Sequence, residues 1–156
     1  MAFGTNSKVF TAFVRDALNN TTAHSFDVDG DSIKVALYGN TGTPDQTVAN
    51  TLTGYNQATS QWVIANEVTA TGWTAGGLVL ASVTSTFATT VYTFTAANKS
   101  GGSTDTVTNA YGCLIYDDTL TTKDGICYLA FGGANSVVSG TFTVAFNASG
   151  ILTITT

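Results

Sequence analysis

Two apolar runs, Cys113 to Tyr116 and Ile126 to Phe131, flank a polar loop that carries Asp117-Asp118 at one end and Asp124-Gly125 at the other. No other part of the chain limits the fold so tightly. Short runs rich in β-branched and aromatic residues, separated by turn residues, specify a β-hairpin. Both runs are nearly continuous in apolar residues, which fits strands covered on both faces. The stretch Tyr111 to Gly133 is therefore expected to form the centre of an all-β core.

The rest of the chain supplies further strand pairs and one helix. Asn6 to Leu18 carries Val9, Phe10, Phe13, Val14, Ala17 and Leu18 on one helical stripe, with Lys8, Arg15 and Asp16 off it. Asn6 or Ser7 is placed to cap its start, and Asn19-Asn20 to end it. From Thr22 to Tyr38, Phe26 and Val28 alternate with Asp27 and Asp29. A turn at Asp29-Gly30-Asp31 follows, then Ile33, Val35 and Leu37 on the return strand, which is a hairpin pattern. Thr43-Pro44-Asp45-Gln46 has the form of a capping box, predicting that a short helix or helical turn follows and buries Val48, Leu52 and Tyr55.

Leu78 to Phe87 and Val91 to Thr95 form the next expected pair, and Asn98 to Asp105 an expected flexible tip. The last hairpin joins Phe142, Val144 and Phe146 to a strand ending near Thr156. Opposing Phe146 with Leu152 and Val144 with Ile154 places the bulky residues on one face. That register needs Gly150 in a left-handed conformation. The sum is about eight strands at roughly 10-residue spacing, an antiparallel β-sandwich or barrel-like fold with an N-terminal amphipathic helix packed on it. At 156 residues the expectation is one domain, residues 1–156, with a helical segment at 1–20 and a β core at 21–156.

Charge and composition narrow the function. Charged residues are only 10% of the chain and Thr is the commonest residue, which suits exposed strand faces. So little charge on a surface implies that part of it is covered by a partner. Net charge is −5, and Lys8, Arg15, Lys34, Lys99 and Lys123 are scattered singly. Nucleic-acid binding needs a basic footprint, so no nucleic-acid partner is expected. Apolar runs such as Gly76 to Ala81 are far short of the ~20 residues a membrane helix needs. The N-terminus lacks the basic and apolar regions of a secretory signal. A soluble protein made in a cytosol is expected, with no membrane partner. In that compartment Cys113 and Cys127, expected opposite each other in the hairpin, are read as two buried thiols rather than a disulfide.

Reactive groups are sparse. His24 is the only histidine, so any Ser-His-Asp or Cys-His arrangement must use it, and no nucleophile signature accompanies it. One histidine and two cysteines do not make a zinc site. Asp27, Asp29 and Asp31 form an Asp-x-Asp-x-Asp run that invites a calcium reading. Counting from Asp27, Ser32 and Tyr38 fall where an EF-hand needs Gly and Glu, which excludes that loop. The three aspartates remain candidates only for a non-EF calcium site, the alternative being a solvated turn. Asp117-Asp118 are adjacent and read as a turn start rather than a glycosidase pair. Glu67 is expected to hydrogen-bond backbone in a loop. Trp62 and Trp73 are candidate interface anchors, with a place in the core as the alternative. Neither an enzyme nor a cofactor is expected.

Two segments carry a family likeness: Ala65-Asn-Glu-Val-Thr-Ala-Thr-Gly-Trp-Thr-Ala-Gly-Gly-Leu-Val-Leu80, and Ala110 to Thr155 with Leu-Ile-Tyr-Asp-Asp-Thr, Phe-Gly-Gly and Gly-Thr-Phe-Thr-Val-Ala-Phe. They resemble a family of small virion structural proteins of tailed bacteriophages. The family pattern has Tyr, Gly and Trp where this chain has Trp73, Ala70 and Phe146, and it lacks Cys113 and Cys127. The resemblance implies a non-enzymatic particle component. The expected role is a capsid decoration or minor head protein, self-associating as a trimer on the major capsid protein lattice. It would sit on the virion after assembly in the host cytoplasm. A tail or fibre component touching host glycan through Trp62, Trp73 and tyrosines is the alternative.

Overall fold

The structure, a computed structural model, describes residues 6–19 and 24–155. Asn20 and the Thr22 end of the first expected hairpin lie outside them. The fold is all-β and antiparallel, with a helix near the N-terminus, as expected. Ten strands appear among the described residues: β1 (Lys8–Val9), β2 (Ile33–Tyr38), β3 (Leu78–Val79), β4 (Thr84–Ala88), β5 (Val91–Thr95), β6 (Lys99–Ser100), β7 (Asp105–Asp117), β8 (Gly125–Gly140), β9 (Thr143–Val144) and β10 (Leu152–Thr155). Helices α1 (Thr11–Asn19) and α2 (Asn50–Thr53) accompany them. The strands form three sheets, of order β1-β8-β7-β2-β3, β10-β5-β4 and β6-β9. Their buried apolar side chains make one continuous cluster that also takes in Phe13 of α1.

The β7–β8 ribbon is the centre of that cluster. Cys113, Leu114, Ile115 and Tyr116 are all fully buried, which is why the sequence shows no alternation there. The ribbon is not regular. Register shifts interrupt it between Asp105 and Val107, Val107 and Ala110, Ala110 and Gly112, and Ile115 and Tyr116. The cysteines are not opposite each other: Cys113 faces Leu129, and Cys127 faces Ile115. Both are free and buried. Burial pushes the Cys127 thiol up to about 12 and, with Cys127 beside it, raises Cys113 too. A thiolate is the reactive form. Neither cysteine should therefore react with a thiol reagent such as DTNB at pH 8 in the native protein, and both should react in denaturant. Rapid native labelling would contradict this packing.

Several local expectations are corrected by tertiary pairing. The helix begins at Thr11 rather than near Ser7, because Lys8 and Val9 pair with Tyr128 and Cys127. Its buried face is Ala12, Phe13 and Asp16, while Val14 and Leu18 are 36% and 84% exposed. Asp16, expected off the stripe, is held by Arg15. Among the described residues 24–38 the expected hairpin does not form. The Asp27 carbonyl accepts from both Gly30 N and Asp31 N (3.0 and 2.7 Å), making a tight turn. Both edges of β2 are already used, by β7 and β3.

Thr43 to Gln46 does not itself start a helix, although a short one, α2, follows it, with Leu52 half-buried and Tyr55 buried. Asp45 Oδ1 accepts from Thr47 N and Thr47 Oγ1 (2.8 and 2.7 Å), an Asx turn. Gln46 O meanwhile accepts from Thr11 N at the start of α1 (3.0 Å). The run 78–87 divides between two sheets, with Ser82 at φ 52 where it breaks. The expected free tip at 98–105 is fastened: β6 pairs with β9, and buried Asp105 accepts from Gly102 N (2.9 Å). Gly150 is left-handed (φ 109), as the last turn requires. The strands flanking that turn nevertheless separate, β9 to β6 and β10 to β5. Phe146 N is drawn to Asn98 Oδ1 (2.9 Å), beside β6. Trp62 and Trp73, candidates above for either interface anchors or the core, are 2% and 1% exposed and belong to the core.

Candidate interaction site

Three places on this fold gather polar or apolar groups densely enough to act. The first surrounds Glu67. Its carboxylate accepts from Gly76 N (3.1 Å), Gly77 N (3.0 Å) and Tyr55 Oη (2.7 Å). Tyr55 stacks on Tyr116 at 4.9 Å and 11°, and Tyr116 Oη donates to Gly76 O (2.6 Å). Burial raises the Glu67 pKa against these donors, which favour its charged form. Both carboxylate oxygens are taken by the protein itself, so the cluster is a brace on the 76–77 bend. The expected hydrogen bonding of Glu67 to loop backbone is what the structure contains.

The second place is the closed end of the β7–β8 ribbon. Asp117 and Asp124 are fully or almost fully buried there and joined across the strands by Asp117 N to Asp124 O (3.0 Å). His24 Nδ1 contacts Asp124 Oδ2, and the Asp31 carboxyl contacts Asp117. Asp118 binds Lys34 and Lys123 at 2.7 and 2.8 Å. Burial alone would raise the Asp118 carboxyl, but the two ammoniums outweigh it and hold it below the ordinary value. The aspartate run does not converge. Asp27 and Asp31 bond within their own turn, Asp31 Oδ2 accepting from Asp27 N (2.8 Å), while Asp29 Oδ2 accepts from Ser85 Oγ (2.8 Å). Among the described residues no three His, Cys, Asp or Glu side chains are grouped to hold a metal. The calcium reading of Asp27, Asp29 and Asp31 therefore loses its geometry. Sequence reasoning missed the His24–Asp124 and Asp31–Asp117 contacts.

The third place is apolar. Because α1 buries Ala12, Phe13 and Asp16, the other half of its predicted stripe faces outward. Val14, Ala17 and Leu18, with the edge of Phe13, line a groove of about 450 Å³ against Tyr92 of β5 and Ile154 of β10. Its lining is almost wholly apolar. Exposed large apolar residues rimmed by polar surface mark contact sites, and this is where the helix stripe seen in the sequence ends up. Its signal was in the sequence, in a stripe wider than one buried face requires. Trp62 and Trp73 take no part in it.

Comparisons of the chain with protein-family models, with curated proteins and with solved structures found no match.

Proposed function

We propose that this chain is a non-enzymatic structural protein of a tailed-phage virion. In this reading it is a capsid decoration or minor head protein that binds the major capsid protein lattice and stabilises it. The observation that carries the reading is the uncharged groove between α1 and the β10-β5-β4 sheet, with Leu18 84% exposed beside it. It is a surface made for adhesion, on a chain whose carboxylates mostly brace its own loops. The family likeness of the 65–80 and 110–155 segments supports the same reading. Glu67 and Gly77 of that pattern hold the bend before β3, so those residues preserve the fold. Many copies on a repeating lattice would multiply a modest contact, and a trimer is the self-association proposed. The tail or fibre alternative names Trp62, Trp73 and tyrosines for glycan contact, and of these both tryptophans are buried.

Cryo-EM of purified particles tests the placement: density on the capsid faces is expected, and density on the tail alone rejects it. Leu18→Asp should weaken binding to undecorated capsids about tenfold or more, equivalent to about 1.4 kcal/mol. Its circular dichroism should be unchanged, because the side chain makes little contact with its own fold. Val138→Asp, at a second exposed apolar residue (77% exposed) outside the groove, is the control and should bind normally. Equal binding by both variants would remove the groove from the contact.

A further inference from the structure

The two carboxylates at the closed end of the ribbon serve neither the groove nor the Glu67 brace. Asp117 and Asp124 are 0% and 1% exposed, and each meets a titratable side chain from the 24–32 segment packed over them. Asp124 Oδ2 takes His24 Nδ1. Asp117 Oδ1 accepts from Thr119 N (2.8 Å) and lies 3.4 Å from Leu120 N, while no donor reaches Asp117 Oδ2. The side chain facing Asp117 is another acid, Asp31, itself bonded to Asp27 N (2.8 Å). Two ionised carboxylates are acceptors only, so this contact requires a proton on one of them. Beside the pair, Asp118 N donates to Ser32 O (2.9 Å) and Ser32 N to Thr119 Oγ1 (2.7 Å). These bonds close only while the segment is seated.

We propose that this junction is a proton-operated latch, which holds the 24–32 segment on the end of the ribbon at mildly acidic pH and lets it lift as the pH rises. Burial, and then the Asp31 carboxyl, push Asp117 up to about 7 from an ordinary 3.8, against the pull of the Thr119 and Leu120 amides. Below that pH the shared proton bonds the pair. Above it two negative charges face each other, with Asp124 adjacent. The cations nearby do not offset this, since Lys34 and Lys123 are both engaged by Asp118. The linkage has a definite sign. The unfolded chain loses the Asp117 proton first, so this group's contribution falls as pH rises from about 4 to about 7 and is level above.

NMR on the intact chain tests it. The Asp117 side-chain carboxyl carbon should titrate near pH 7. Amide exchange at Ser32 and Asp118, corrected for intrinsic rates, should accelerate about tenfold between pH 6 and pH 8.5, a ~1.4 kcal/mol loss of local protection. Leu37 and Leu114, inside the sheet, should not change. Asp117→Asn provides a permanent N–H donor to Asp31 and should flatten the response. Asp31→Asn does the same from the other side, and serves if the first variant does not fold. Titration of Asp117 in the ordinary carboxylate range overturns the proposal. So does unchanged protection at Ser32 and Asp118, or an equal loss of protection throughout the sheet.

Discussion

Trp62→Ala is expected to cost about 3–5 kcal/mol of folding stability, the range for deleting a buried large aromatic side chain whose surroundings relax only in part. The indole is 2% exposed and enclosed by rings on three sides. Phe10 lies 6.1 Å away edge-on, Tyr38 4.9 Å away edge-on, and Tyr128 5.9 Å away and tilted. Those three rings come from the lead into α1, from β2 and from β8. The cavity would therefore open where the helix, the sheet and the loop before Trp62 meet. Tyr38 Oη donates to the Trp62 carbonyl (2.9 Å), a bond to backbone that the substitution leaves in place. Chemical denaturation reads the effect as a lower midpoint with little change of slope. A cost under 1 kcal/mol would mean that Trp62 is not a core residue. Stability unchanged but capsid binding lost would return it to the interface.

Gly77→Ala should be nearly as damaging, by about 4 kcal/mol from backbone strain and overpacking together. Gly77 has φ 66, and a Cβ there would lie 2.2 Å from the Val35 carbonyl oxygen and 2.8 Å from Ala36 Cα. Val35 and Ala36 belong to β2, which is paired on both sides, with β7 and with β3, so they have nowhere to go. The same bend is where Glu67 accepts from Gly76 N and Gly77 N, so any shift also loosens that carboxylate. Gly132→Ala is the informative comparison. Gly132 has φ 78 but open space around it, so only the left-handed strain of about 1 kcal/mol should be felt. Equal losses at the two glycines, measured by the same denaturation, would show that close approach to β2 is not what position 77 requires.

These residues also show what could be read from the chain and what could not. Cys113 to Tyr116 was legible because a strand covered on both faces needs an unbroken apolar run. Phe142 and Val144 were correctly placed on one buried face by their alternation. Alternation says which way side chains point but not which strand lies alongside, and β9 went to β6 instead of β10. The stripe from Val9 to Leu18 announced a helix, yet β pairing captured Lys8 and Val9 first. Only half of the remaining stripe found a core to face. That unused half is the groove, so the candidate contact site was present in the sequence as an excess of apolar residues. The His24–Asp124 contact was not legible at all. It joins residues 100 positions apart, and no local pattern encodes which distant carboxylate a turn will meet.

The pairing of Lys8 with Tyr128 has a kinetic corollary. Bringing those residues together closes a loop that spans most of the polypeptide, and the entropy of that closure is lost before the contacts it permits can compensate. During synthesis, Phe10 emerges early and must stay undocked until Ile126, whose carbonyl its amide will bind, has been made. Slow, late maturation of the amino-terminal region follows, and a half-made chain would hold its future helix as a bare hydrophobic arm.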